Sequence, residues 1–275
     1  MGKEGKYGAF FLALALFLPF LALETDRRMT VALPVDGPAE VEQEQETKFI
    51  ALTFDDGPRR STTGPLLDGL AQRGVPATFF LIGEQVPGNE DIVRRMEAEG
   101  HQIGIHTYDH KCLTALNAAD FSAQVDRSRQ LLGEILGREN FLLRPPYGMV
   151  DAGVERRAGS AIILWSIDPE DWDDKNAERI TRHIVSRAKD GDIILLHDIY
   201  STSVEAALAV VDALHEEGFL FVTVEELAAQ RHVELCDQLL HRHEEESLFM
   251  QSIHHRQSRL HRGGDRKSTR LNSIT

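Results

Sequence analysis

Five short apolar runs in this 275-residue chain end in side chains able to do chemistry. Residues 49–54 run into Asp55-Asp56-Gly57-Pro58, and 102–105 into His106-Thr107-Tyr108-Asp109-His110. Residues 141–143 run into Arg144-Pro145-Pro146-Tyr147-Gly148, 161–167 into Asp168-Pro169-Glu170-Asp171-Trp172, and 192–196 into His197-Asp198. His106 and His110 stand four apart, so one helical turn or a compact loop presents both imidazoles the same way. Two neutral nitrogens and one carboxylate make a three-ligand catalytic zinc set that leaves a position open for water. Asp55 and Asp56 supply the carboxylates. Along an extended chain successive side chains alternate, so one of the pair is expected at the metal and the other beside the water as general base. Gly57 and Pro58 then turn the chain sharply.

The other three stretches suit acyl transfer to water. A metal polarises an amide carbonyl and acidifies water. The developing oxyanion needs a further donor; Pro145 and Pro146 have no N–H, so Tyr147 is the first backbone donor of its turn. The leaving amine needs a proton, and His197 is a suitable acid.

Such groups must be held by a frame. Seven β-branched or aromatic runs (49–54, 77–82, 102–105, 141–143, 161–167, 192–196 and 219–222) alternate with stretches whose apolar residues recur every three or four positions. The helical stretches are 64–73, 91–100, 120–136, 176–189 and 204–218, and several stop at glycine: Gly74, Gly100, Gly137, Gly191 and Gly218. Seven strands with intervening helices predict an α/β parallel barrel, whose strand-end loops share one rim.

The flanks read differently. Lys3 and Lys6 precede an apolar run from Gly8 to Leu23, which predicts a signal peptide or an N-terminal membrane anchor over 1–24. No A-x-A cleavage site follows, which favours the anchor. Either way, the body of the protein is expected outside the cytoplasm. Residues 25–47 are acidic with two prolines and read as a linker. Residues 48–231 hold the patterned domain. Residues 232–275 form an irregular tail, and 265–273 read like a translated sequencing adapter, so the end is expected to be an artefact. The scattered histidines at 241, 243, 254, 255 and 261 are then no metal site. The formal net charge of −14 argues against nucleic acid, which needs clustered Lys and Arg. Cys112 and Cys236, the two cysteines, have neither zinc-knuckle spacing nor a disulfide framework.

With these motifs assembled, the chain resembles the polysaccharide deacetylases with the NodB homology domain, carbohydrate esterase family 4, over about residues 48–227. The resemblance rests on Thr53-Phe54-Asp55-Asp56-Gly57-Pro58, His106 with His110, Arg144 with Tyr147, Asp171 with Trp172, and Leu195 with His197, in that order. It implies a distorted (β/α)7 barrel and a divalent metal, usually zinc, with cobalt or nickel as alternatives. Asp56, His106 and His110 would hold the metal, and Asp55 would be the catalytic base. Arg144 would orient that base, and the Tyr147 N–H would help form the oxyanion site. Asp171 would tune His197, the general acid; Trp172 would wall the substrate site and Leu195 would pocket the acetyl methyl group.

The expected reaction is hydrolysis of N-acetyl groups on a cell-wall polysaccharide, with peptidoglycan N-acetylglucosamine first, chitooligosaccharides second and acetylxylan third. A glycan-binding module that had lost turnover should lack a ligand or the base, and all are present here. A wall-anchoring structural protein would explain the apolar N-terminus and none of the motifs.

Overall fold

The computed structural model describes residues 47–232. The expected anchor, nearly all of the linker and the tail, with its adapter-like end and Cys236, lie outside the described residues. Among the described residues, no helix is long and apolar enough to cross a membrane.

Strand β1 (Lys48–Asp55) is buried from Ile50 onward, as its unbroken apolar run demands of a strand flanked on both sides. It is followed by α1 (Arg60–Arg73), β2 (Thr78–Leu81), α2 (Glu90–Ala98) and β3 (Gln102–Ile105). Then come α3 (Ala118–Leu136), the short α4 (Ala152–Arg157), α5 (Ala177–Val185), β4 (Ile193–His197), α6 (Ser201–Glu216) and β5 (Phe219–Val222). A further helix covers residues 224–232. Asn117, Asp151 and Asn176 cap α3, α4 and α5, each side chain accepting a backbone N–H from the first turn. Gly74 and Gly137 end α1 and α3 at φ 64° and 70°, a left-handed conformation that a Cβ disfavours.

All strand pairs are parallel, in the order β3-β2-β1-β4, with β5 pairing the early part of β1. Phe54 stacks on its register partner Phe79 with ring centroids 5.2 Å apart, inside a core shared by Leu66, Leu70, Ile103 and Val210.

Two of the seven expected strands do not form as ladders. Residues 141–143 and 161–167 keep only single bridges, Ile105 to Leu143, Leu143 to Ile162 and Ile167 to Ile194, so regular pairing does not close the sheet. For the second run, one side chain contributes to this. The Arg144 guanidinium takes the Ile163 carbonyl (3.3 Å) and the Leu164 carbonyl (3.1 Å), acceptors that a neighbouring strand would otherwise use. The wall of the distorted barrel is irregular where an arginine is built into it.

Candidate active site and metal centre

The parallel register places Asp55, last residue of β1, opposite His197, last residue of β4. Thr53 and Asp55 share a face of β1 by alternation. Arg144, fully buried, spans both: its Nη1 donates to Thr53 Oγ1 at 2.7 Å and to Asp55 Oδ1 at 2.9 Å. Its guanidinium also lies 4.1 Å from the centre of the Phe80 ring. Burial draws the Arg144 pKa below its usual value, against the pull of Asp55, so the ion pair and the carbonyl acceptors keep it compatible with the interior.

Asp56 corrects one expectation. Alternation should have sent the two carboxylates apart, but Asp56 has φ 75°, which turns the chain back on itself. Both carboxylates therefore reach the same imidazole. Asp55 Oδ2 lies 3.7 Å and Asp56 Oδ1 3.6 Å from His106 Nε2. His110 Nε2 stands 3.5 Å from Asp56 Oδ1. The histidines are not on a helix. They sit in the loop after β3, where Thr107 and His110 also take positive φ, and their rings approach to 4.9 Å.

This group fits a metal ion. The facing atoms of Asp56, His106 and His110 lie within 4.8 Å of one another. Asp56 Oδ1 is buried with no hydrogen-bond donor, a costly state for a carboxylate oxygen unless a cation completes it. His106 is set as a ligand by its other nitrogen. Nδ1 lies 2.7 Å from the Arg144 carbonyl oxygen, which can only accept, so the proton sits on Nδ1 and the Nε2 lone pair faces the carboxylates. Burial first, then the neighbouring His106, lower the pKa of His110, which favours the neutral, ligating form.

Across the cleft, His197 Nδ1 meets Asp171 Oδ1 at 2.8 Å, while the His197 backbone N–H donates to Asp171 Oδ2 at 2.9 Å. Ser203, in the first turn of α6, donates to the same Asp171 oxygen. Burial opposes the charged form of His197, but the Asp171 hydrogen bond and charge, with Asp55 and Asp56 beyond, raise its pKa to about 9. A donor at neutral pH results.

The cleft encloses about 420 Å³ and is lined by Asp55, Asp56, His106, His110, His197 and Leu195, with Tyr147 and Trp172 at its mouth. Tyr147 is 66% and Trp172 51% exposed, whereas Leu195 is buried at 3%. The Tyr147 ring stands edge-on to His110, with centroids 4.8 Å apart. The fold therefore brings together every site residue expected from the sequence: six around the cleft floor, Tyr147 and Trp172 at the rim, and Arg144 and Asp171 behind.

Trp165 and Asp168 also line the cleft and were not anticipated as site residues. Asp168 opens the motif that contains Asp171 and Trp172, a signal in plain view. Trp165 read as an ordinary aromatic of a strand. Nothing in the sequence marks Ser203 as the support of Asp171, since 32 residues separate them.

Comparison with known proteins agrees with this geometry. A family model described as Polysaccharide deacetylase matches residues 42–162. A peptidoglycan-N-acetylglucosamine deacetylase of Bacillus cereus is 40% identical over 194 residues, covering 67% of this chain and 90% of the relative. The peptidoglycan-N-acetylglucosamine deacetylase PgdA of Listeria monocytogenes is 38% identical over 192 residues, 70% of this chain; the chain spans only 41% of that longer relative. Among solved structures, the peptidoglycan deacetylase PdaC of Bacillus subtilis superposes with TM-score 0.69 at 36% identity, covering 72% of this chain and 98% of that one. Motifs in order, strand ends converging on one cleft, and a relative 40% identical that is matched over 90% of its length lead to one statement: this chain belongs to the polysaccharide deacetylase family.

Proposed function

We propose that the domain over residues 48–231 removes N-acetyl groups from peptidoglycan N-acetylglucosamine by metal-dependent hydrolysis, releasing acetate and leaving a free amine. The observation that carries this reading is the pairing of a buried carboxylate, Asp55, with His197, itself held by Asp171, in a cleft that also holds the Asp56–His106–His110 group. Those three side chains would hold a divalent ion, and two nitrogens with one carboxylate oxygen suit zinc, with cobalt and nickel as competitors. When bound, such an ion polarises the acetamide carbonyl and acidifies water.

The chain's own groups supply the proton traffic. Asp55, oriented through Oδ1 by Arg144, takes a proton from the attacking water as the new C–O bond forms. The Tyr147 N–H serves the oxyanion, and Leu195 receives the acetyl methyl group. His197, its Nδ1 held by Asp171, gives its proton to the nitrogen as the C–N bond breaks. Exposed Trp172 and Tyr147 offer flat apolar faces to the sugar rings at the mouth. Peptidoglycan in the names of the relatives above supports that substrate and an extracytoplasmic location. The basic start and apolar run of 1–24 suit tethering at the membrane or secretion.

Acetate release from peptidoglycan, chitooligosaccharides and acetylxylan, assayed side by side with added zinc, tests the reading. Peptidoglycan should be turned over fastest. A preference for chitooligosaccharides or acetylxylan overturns the substrate, and no release from any of the three overturns the activity.

A further inference from the structure

Asp198 is a buried carboxyl that the reaction above does not use. It is 1% exposed, its Oδ1 has no hydrogen-bond partner, and it directly follows His197. Burial, opposed by the Thr63 hydroxyl and supported by the charges of Asp56 and Asp55, lifts its pKa to about 7. A half-satisfied buried carboxyl is costly, so its position calls for a reason.

Its surroundings supply one. Thr63 Oγ1 donates to Asp198 Oδ2 and in turn accepts the Arg59 backbone N–H at 2.8 Å. Arg59 Nη1 reaches the Ile199 carbonyl at 3.2 Å. The Thr63–Asp198 and Arg59–Ile199 bonds join the segment that follows β1 to the segment that follows β4, and the Arg59–Thr63 bond ties their two ends together. Between them lies Gly57. A Cβ there would clash with both carboxyl oxygens of Asp198, so the carboxyl packs directly against the glycine. From the other side the Gly57 carbonyl accepts the Ile82 N–H at 3.0 Å. The turn after Asp56 is thus held between Ile82, the residue after β2, and Asp198.

We infer that Asp198, through Thr63 and Gly57, is a positioning residue that fixes the Asp56 turn against the strand end bearing His197. Asp56 is one residue before Gly57 and His197 one residue before Asp198, so the grip sets the spacing between the metal-holding carboxylate and the acid. The inference rests on the deacetylase reading for its catalytic half and on the metal group alone for the other.

The test compares Thr63→Val, which keeps shape and removes the hydroxyl, with Thr63→Ser, which keeps the hydroxyl, and with Asp198→Ala, all in the full chain. Zinc affinity is measured by competition with a chelator, with a His106→Ala/His110→Ala chain as the blank for zinc held by other histidines. Thr63→Val should weaken zinc binding by about 10–100-fold, the usual effect of losing a support behind a metal ligand. It should lower kcat for acetate release with KM within about twofold, and Thr63→Ser should restore both. Adding Thr63→Val to Asp198→Ala should cost little more than Asp198→Ala alone, since both break one connection. If Asp198→Ala does not fold, the two Thr63 variants decide. Wild-type zinc affinity and kcat in Thr63→Val, with only a lowered Tm, overturn the inference. A wild-type chain that releases no acetate sinks the deacetylase reading, and the zinc comparison still judges the grip. A wild-type chain that binds no zinc above the blank overturns both.

Discussion

Strand β3 carries a buried histidine immediately before it and another immediately after it: His101 at one end and His106 at the other, 5% and 2% exposed. They are opposites in chemistry. His101 Nδ1 accepts the Ala77 backbone N–H at 3.1 Å, which leaves its proton on an Nε2 that has no hydrogen-bond partner. Its ring stands edge-on to Phe79, and burial lowers its pKa to about 4. His106 Nδ1 instead faces a carbonyl, so its bare Nε2 points at two carboxylates. Burial alone therefore does not make a ligand; the partner of the far nitrogen does, by choosing the tautomer. One end of the barrel spends its histidine on packing, and the other spends it on a cation.

The strongest way to break this contrast is to truncate each histidine. His106→Ala should abolish specific zinc binding and acetate release while the circular dichroism spectrum stays folded, whereas His101→Gln should retain both. Equal losses in the two variants would mean that the two ends are not different in kind. Next in size, Asp55→Asn should lower kcat by about 10²–10⁴-fold, the range for a lost general base, with zinc still bound. A variant that loses its zinc along with its activity would place Asp55 among the ligands instead.

The packing end makes its own prediction in stability. His101 stays neutral in the fold down to about pH 4 but charges near 6.5 when the chain unfolds. The unfolded chain therefore binds the extra proton, and stability should fall as pH drops from about 6.5 to about 4, by about 3 kcal/mol in all. Urea unfolding of wild type and His101→Gln across that window measures it. Parallel curves for the two chains would remove His101 as the cause.

Smallest is the effect of Asp171 on its histidine. Because the Asp171 charge raises the His197 pKa, Asp171→Asn should let His197 lose its proton at lower pH. The alkaline limb of the kcat profile should then move down by about 1–3 units. An unmoved limb would mean that His197 is not the group whose protonation the alkaline side reports.

Much of the molecule was legible from residue types in order. Parallel strands buried on both faces announce themselves as continuous apolar runs, which is why 49–54, 102–105 and 192–196 were found close to their observed bounds. The glycines expected after four of the helices, Gly74, Gly100, Gly137 and Gly218, all take positive φ, which is open to few other residues, whereas α5 stops at Val185, short of the expected Gly191. Of the two runs that became single bridges, 161–167 misled for a local reason: its apolar composition promises a strand, but Arg144 claimed the carbonyls of Ile163 and Leu164.

What the sequence determined by itself was the inventory: two histidines four apart, a carboxylate pair before a glycine–proline turn, and a histidine closing a buried strand, in an order that names the family. Tertiary structure decided the roles. Only the β1–β4 register sets Asp55 opposite His197, and only the positive φ at Asp56 turns both carboxylates toward one imidazole. Only contacts across more than 30 residues reveal that Arg144 fixes the His106 tautomer, that Ser203 supports Asp171 and that Asp198 grips Gly57. The physical reason is the same in each case. A residue's type sets which bonds it can make, but which proton sits where depends on partners that the folded backbone alone brings within 3 Å or so.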